Sequence, residues 1–242
     1  MQLNSVARRS TSMLPIPNDA DHPLAHEISS FIADADFPCV GAKAALDPGG
    51  MDFVVARDFR SAWDDLRILP ALISLSKRYR AEPKLFQSLV VIFEKGAPED
   101  EEQFERLLWE RLTSLTRKDE WLGQTADARV AHDPKDPHFA MSFGGEAFFV
   151  VGLHPRASRP ARRFRNPAMV FNLHDQFTKL REKGLYQRLR KTILGRDVEL
   201  AGSANPMLAS HGSKSAARQY SGRVVADGWQ CPFSGRGAQN AA

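Results

Sequence analysis

The residues best placed to do chemistry are an imidazole and a group of arginines that follow one apolar segment. Residues 147–153 read AFFVVGL, and His154 and Pro155 come directly after them. Five arginines then lie between residues 156 and 165. An imidazole held by rigid backbone at the edge of an apolar pocket suits a haem axial ligand or a general base. A hydrogen-bonded structural histidine is the alternative, and the sequence alone leaves both open.

The arginine-rich segment also has two interpretations. It could be a solvated basic surface, or its planar guanidinium groups could bind carboxylates or phosphates through paired hydrogen bonds. A local cluster suits a discrete anionic group better than a long polyanion. Few aromatic residues are interleaved with these charges, although single-strand nucleic-acid binders need them. We therefore expect no nucleic-acid partner.

Two further groups of polar residues could contribute to a site. His174 closes the apolar segment 169–172 and precedes a predicted helix, where a capping or surface role is the alternative. The segment 202–223 is rich in turn-forming residues, and turn chemistry would explain much of it. Four of its side chains could nevertheless form the polar wall of a pocket: Asn205, His211, Tyr220 and Arg223.

Several common catalytic motifs are absent from the sequence. It has no Gly-rich phosphate loop, no His-Glu-x-x-His helix, no Glu-x-x-His pairs and no Gly-x-Ser-x-Gly turn. Its two cysteines, Cys39 and Cys231, form neither a paired zinc motif nor a disulfide framework. These absences argue against a zinc hydrolase, an ATPase and an α/β-hydrolase.

The helices and strands predicted around these residues indicate an α+β fold with a small mixed sheet. Hydrophobic periodicity predicts helices over residues 22–34, 60–80, 97–115, 175–183 and 185–194, and one or two helical turns over 39–46. Strands are predicted over residues 51–56, 85–94, 147–154 and 169–172. The strand 147–154 is apolar on both faces, so we expect it to be central and covered.

Two finer predictions concern less regular parts of the chain. In the helix 60–80 we expect Pro70 to introduce a bend and six apolar residues to face inward: Trp63, Leu66, Leu69, Leu72, Ile73 and Leu75. The segment 121–143 is polar and interrupted by prolines, and the chain after residue 201 shows little periodicity. We therefore predict irregular structure in both places.

The totals are consistent with one domain. The chain has 242 residues, of which 43% are hydrophobic, and a net charge of +4. We predict a flexible leader over residues 1–20, a single domain over 21–233 and a loose tail over 234–242. No apolar run reaches the roughly 18–20 residues that a membrane span needs, and the N-terminus lacks the features of a secretory signal. We therefore expect a cytoplasmic protein without a membrane partner.

Six segments together resemble the YqcI/YcgG family. They are FPCVGAKAAL (37–46), GGEAFFVVGLHPRASRPARRF (144–164), MVFNLHDQF (169–177), GSANPML (202–208), ARQYSGR (217–223) and WQCPF (229–233). They occur in one order and without large gaps. Agreement among several separated motifs is far more specific than any one of them.

The resemblance implies more than the residues themselves show. It implies a cytoplasmic oxygenase that uses haem b and O₂ to N-hydroxylate a small guanidine- or amine-containing, arginine-like substrate in secondary metabolism, with electrons from a reductase. By resemblance, His154 of the GLHP phrase is the expected iron ligand. Cys39 of the FPC phrase is its rival, because thiolate is the other common ligand of oxygen-activating haem, and His174 is third.

The residues themselves are compatible with such a haem protein. Arg159, Arg162 and Arg163 are expected to bind the two haem propionates, and Glu146 and Asp175 are the carboxylates that could hold a guanidinium. The alternative function is a non-catalytic haem or small-ligand sensor or carrier. A homodimer is one oligomeric state that the comparison allows.

The chain departs from the family's pattern at two places. Leu173 stands where a proline is expected before the second histidine, and residues 214–217 lack the acidic residue expected before the QYSGR phrase. If that carboxylate holds a guanidinium, its absence puts an arginine-like substrate in doubt.

Overall fold

The molecule is built on a five-stranded mixed sheet. The computed structural model describes residues 16–207 and 214–235. Its strands are β1 (Met51–Asp58), β2 (Ser88–Lys95), β3 (Met141–Phe143), β4 (Glu146–Leu153) and β5 (Ala168–Leu173). Its helices are α1 (Pro23–Ala33), α2 (Val40–Ala44), α3 (Asp65–Ala81), α4 (Glu101–Trp121), α5 (Asp175–Glu182), α6 (Tyr186–Ala201) and α7 (Ala217–Tyr220).

The strands lie in the order β1-β2-β5-β4-β3. β1 and β2 are parallel, because α3 carries the chain back between them, and the remaining neighbours are antiparallel. The predicted α+β fold with a mixed sheet in one domain is therefore confirmed. Within the described residues, no helix combines the length and apolar character needed to cross a bilayer.

The two faces of the sheet are covered differently. Side chains alternate between faces along a strand, so Phe148 and Val150 of β4 lie on one face and Phe149 and Val151 on the other. The first face packs against α3 and α4 in a large core. On the second face, α1 covers β1 and β2 and forms a smaller core around Ile28. The cavity described below opens on that second face.

Most predicted elements are found, and Leu69, Leu72 and Leu75 of α3 are buried as predicted, but the start of this helix differs from the expectation. It begins at Asp65, and Trp63 and Leu66 are 67% and 66% exposed. The prediction that they face inward is therefore wrong. The reason is that the buried Asp65 carboxylate pairs with Arg111 and Lys118 of α4, which directs the polar side chain inward and Leu66 outward. The helix continues through Pro70 to Ala81.

Three other differences concern segments with weak periodicity. β3 and α7 lie where irregular structure was predicted, because three or four residues are too few to show a hydrophobic period. The expected leader ends earlier than residue 20, since Asp19 accepts a hydrogen bond from the backbone N–H of Val55 at 2.7 Å. Residues 1–15, and residues 236–242 of the expected tail, lie outside the described parts of the chain.

Gly152 of β4 is required by a close contact on the α3–α4 face. A Cβ atom there would lie 2.6 Å from Cε1 of Phe104 and 3.0 Å from the carbonyl oxygen of Tyr220. The Phe104 ring is stacked on Phe59 and on His154, with centroid distances of 5.3 and 4.1 Å, so it has little room to move.

We predict that Gly152→Ala lowers the free energy of unfolding by about 1–3 kcal/mol, as overpacking of a core does. Gly195→Ala is the matched control, because Gly195 lies in α6 with no atom within 4 Å of an added Cβ. The control should be neutral or gain up to about 1 kcal/mol from helix propensity. Urea unfolding of both variants measures the difference, and equal stability of Gly152→Ala and wild type would contradict the assignment.

Candidate functional site

A cavity of about 510 Å³ lies against the second face of the sheet. This volume is in the range of about 300–1,000 Å³ that is typical of small-molecule sites. Its floor is formed by side chains of β4 and β5, and α2, α5 and α6 contribute to its walls. Its apolar lining includes Ile32, Phe37, Phe149, Val151, Leu153, Val170, Phe177, Leu180, Leu189, Ile193 and Leu194.

The charged lining of the cavity is strongly asymmetric. The basic residues among the described lining are Arg129, Arg159, Arg162, Arg181, Arg190 and Lys214, whereas Asp197 is the one acidic residue among them. Three of these cations are paired with carboxylates, since Arg129 contacts Asp127 and Glu146, Arg159 contacts Asp197, and Lys214 contacts Asp227. The remaining excess of positive charge favours an anionic group. Apolar walls combined with a cationic border suit a flat apolar ligand that carries acidic substituents.

His154 does not line this cavity. Its ring is 1% exposed and stacks on Phe104 of α4 with the centroids 4.1 Å apart. The two-residue period of β4 explains the placement, because His154 is in phase with Phe148 and Val150 on the α3–α4 face. The structure therefore places the expected iron ligand on the opposite side of the sheet from the cavity.

The environment of His154 is that of a neutral structural imidazole. Burial lowers the pKa of His154 to about 4. The Glu101 carboxylate raises this pKa by a smaller amount, and the positive charge of Arg162 lowers it slightly further. The Nδ1 atom is buried and has no hydrogen-bond partner among the described residues. The neutral His154 ring, stacked on Phe104, packs between β4 and α4.

His174 and Cys39, the two other expected ligands, both line the cavity. His174 follows β5 in phase with Val170 and Asn172, which face the cavity as well. Cys39 precedes α2, and its Sγ accepts a hydrogen bond from the N–H of Ala42 at 3.4 Å. Burial raises the pKa of the Cys39 thiol, so the protonated form prevails at neutral pH.

The three arginines expected to bind propionates have different surroundings. Arg159 lines the cavity, but its guanidinium is engaged by the Asp197 carboxylate and by both oxygens of Ser203. Arg163 is exposed, donates to nearby carbonyl oxygens and does not line the cavity. Arg162 lines the cavity and has no ion-pair partner among the described residues.

Of the four expected substrate contacts, the structure brings Asn205 to the cavity. Tyr220 is fully buried, and its hydroxyl donates to the carbonyl oxygen of Phe148 at 3.3 Å. Arg223 binds the buried Glu105 carboxylate at 2.5 Å. The prediction that Tyr220 and Arg223 form a pocket wall is therefore not supported, because both hold the C-terminal segment to the core. His211 lies outside the described residues.

The two carboxylates expected to hold a guanidinium are already bound within the protein. Glu146 accepts hydrogen bonds from Arg80 at 3.4 Å and from Arg129 at 2.7 Å. Asp175 accepts from the Tyr79 hydroxyl at 2.7 Å and pairs with a lysine of α5. Neither carboxylate lines the cavity, so the structure does not place either of them where a substrate could bind.

The contributions of α6 and of two isolated residues to the cavity were not predicted from the sequence. The inner side of α6 supplies Leu189, Ile193 and Asp197 to the cavity, although its apolar spacing had indicated only an ordinary amphipathic helix. His138 also lines the cavity, from a segment predicted to be irregular. Phe86 lines it with a backbone φ of 61°, a strained value that is frequent at binding sites.

We predict that His154→Phe flattens the dependence of stability on pH. The folded state takes up a proton at His154 only near pH 4, whereas the unfolded chain does so near pH 6.5. Between these values the unfolded state binds more protons, so wild-type stability falls as the pH falls. Phe preserves the stack on Phe104 without titrating.

Urea unfolding at pH 7.5 and pH 5 measures this effect. His26→Gln is the control, because His26 is exposed on α1, and it should keep the wild-type pH dependence. An unchanged pH dependence in His154→Phe would show that His154 is not the buried neutral group.

The comparisons with known proteins agree with the pattern of motifs. No curated protein and no solved structure matches the chain. The model of the YqcI/YcgG family matches residues 28–234, which include every described element from β1 onward and all the residues that line the cavity. The chain therefore belongs to the YqcI/YcgG family.

Proposed function

We propose that this protein is a haem-dependent monooxygenase that N-hydroxylates a small guanidine- or amine-containing substrate. The observation that carries the proposal is the cavity on the second face of the sheet, with apolar walls, an imidazole, a thiol and a cationic border. The resemblance described above supplies the reaction class. In this proposal, a partner reductase supplies electrons in a cytoplasmic setting, and a homodimer is not required.

The residues present fit a haem group. Haem needs an apolar slot, one axial side chain and cationic partners for its propionates. Among the described residues, no group of three or more His, Cys, Asp or Glu side chains could hold a bare metal ion. The cavity nevertheless contains His174 and Cys39 as single axial candidates and basic side chains around them.

His174 is the axial ligand that the structure favours. It lines the cavity, whereas His154 stacks on Phe104 on the other face. Cys39 is second, because burial favours its protonated thiol and a cysteine that binds haem iron does so as a thiolate. The backbone N–H of His174 donates to the carbonyl oxygen of Ala147 at 2.8 Å, which attaches the backbone of His174 to β4.

When bound, haem would supply activation of O₂, and the chain's own residues would bind, orient and shield the reactants. The apolar side chains of Phe149, Val151 and Val170 would exclude water from the floor of the cavity. Hydroxylation inserts one oxygen atom of O₂ and reduces the other to water, which is why an external electron donor belongs to the proposal. Asn205 is placed to hydrogen-bond a substrate.

A specific observation favours the second candidate, a haem or small-ligand sensor or carrier. The one carboxylate of the described lining, Asp197, is paired with Arg159. A cationic substrate therefore meets no unpaired carboxylate on the described walls. Incubating haem-loaded protein with a panel of guanidines, a reductase and O₂ separates the two candidates, because only the enzyme yields N-hydroxylated products.

We predict that the protein takes up haemin with a Soret band and that His174→Gly weakens or shifts this band. The reason is loss of the axial imidazole, so free imidazole added to the variant should restore the wild-type spectrum. His154→Phe is the matched control and should keep that spectrum. Absorbance titration with haemin measures all three proteins.

Three results would contradict the assignment. A wild-type protein that takes up no haemin would remove the proposed cofactor. Loss of the Soret band in folded His154→Phe, with His174→Gly unchanged, would return the axial role to His154. A spectrum altered only in Cys39→Ala would identify the thiol as the ligand.

A further inference from the structure

Arg162 lines the cavity, and some of its N–H donors make no hydrogen bond to the described chain. It ends the short 3₁₀ turn Pro160–Arg162 after β4. Its Nη1 donates to the carbonyl oxygens of Gly152 at 3.0 Å and Tyr220 at 3.2 Å. Its Nη2 donates to the carbonyl oxygen of Gln219 at 3.2 Å. These bonds fix the guanidinium between β4 and α7.

These three hydrogen bonds leave some N–H donors of the guanidinium unused. It carries five N–H donors, so Nε–H and one N–H of Nη2 remain. Nε and Nη2 form the side edge of a guanidinium, which binds a carboxylate through two parallel bonds. Arg165 and Arg129 use this edge in the same protein, toward Glu27 and Asp127 respectively.

Arg162 also has no ion-pair partner among the described residues. Burial lowers the pKa of Arg162 to about 10, which still leaves the side chain charged at neutral pH. The acidic groups that act on this charge are the Cys39 thiol, whose pKa is raised by burial, and Asp197, which is bound by Arg159. A partly buried cation without an ion-pair partner is costly, and a ligand carboxylate would reduce that cost.

We propose that Arg162 binds a carboxylate group of the cavity's ligand through paired hydrogen bonds from Nε and Nη2. The carboxylate belongs to a haem propionate or to the substrate itself, and both sources share the same chemistry. The identity of the source rests on the proposed function, whereas the binding of a carboxylate does not. Arg162 is thereby distinguished from Arg159 and Arg163, whose guanidinium groups are engaged elsewhere.

The first part of the test changes the ligand and leaves the chain intact. Protoporphyrin IX and its dimethyl ester probe the propionates without iron, and L-arginine and agmatine probe a substrate carboxylate. Quenching of tryptophan fluorescence measures the porphyrins, and calorimetry measures the small cations. If Arg162 binds a ligand carboxylate through two charge-assisted hydrogen bonds, one of two preferences is expected. Either protoporphyrin IX binds about tenfold to a hundredfold more tightly than its dimethyl ester, or L-arginine binds more tightly than agmatine by the same factor.

The second part changes the protein. Arg162→Gln should bind the acid and the ester, or L-arginine and agmatine, with nearly equal affinity. Arg162→Lys should retain part of the preference, because lysine keeps the charge without the planar pair of donors. Arg163→Gln is the matched control and should behave as wild type, since Arg163 is exposed and does not line the cavity. Circular dichroism verifies that each variant is folded.

The results distinguish a haem propionate from a substrate carboxylate, and both from the absence of a carboxylate site. A preference for the free porphyrin acid that Arg162→Gln abolishes assigns the propionate, and a preference for L-arginine abolished in the same way assigns the substrate. Equal binding within both pairs in wild type, or a preference that Arg162→Gln retains, overturns the proposal. If the protein does not shift the Soret band of haemin, and a porphyrin preference is lost in Arg162→Gln, the proposed function is rejected and the carboxylate site is retained.

Discussion

The alternation of side chains along β4 and β5 is the constraint on which the rest of the molecule depends. The two strands pair Phe149 with Asn172 and Val151 with Val170, so these side chains share one face of the sheet. The intervening residues Phe148 and Val150 share the other face and fill the core with α3 and α4. A shift of one residue in this pairing would exchange cavity floor and core. The register therefore decides which histidine can reach a ligand.

The edge of β4 shows how packing and site are connected. After Phe148, the edge of β4 that faces away from β5 has no strand beside it in the described parts of the chain, and α7 packs against β4. Tyr220 donates to the carbonyl oxygen of Phe148 and Arg162 to that of Gly152, so these two side chains provide hydrogen bonds along that edge. The same bonds hold the Arg162 guanidinium at the cavity wall. Structural and ligand-binding roles thus meet in one side chain.

Much of this arrangement could be predicted from the sequence, and the rest could not for identifiable reasons. The periodicity located α4 and β2 because long amphipathic and apolar segments carry a clear pattern. Both faces of β4 are apolar, so the pattern could not tell which face is packed by helices and which bounds a cavity. The choice between His154 and His174 depends on that distinction. The pairing of Asp197 with Arg159, which are far apart in the sequence, required the fold itself.

The proposed ligand site lies on the face of the sheet bounded by α5 and α6. A crystal structure of the protein loaded with haemin would locate the ligand. We expect electron density for the porphyrin against Phe149 and Val151, with the His174 imidazole bound to iron. Density on the α3–α4 face with iron bound to His154, after displacement of Phe104, would contradict it.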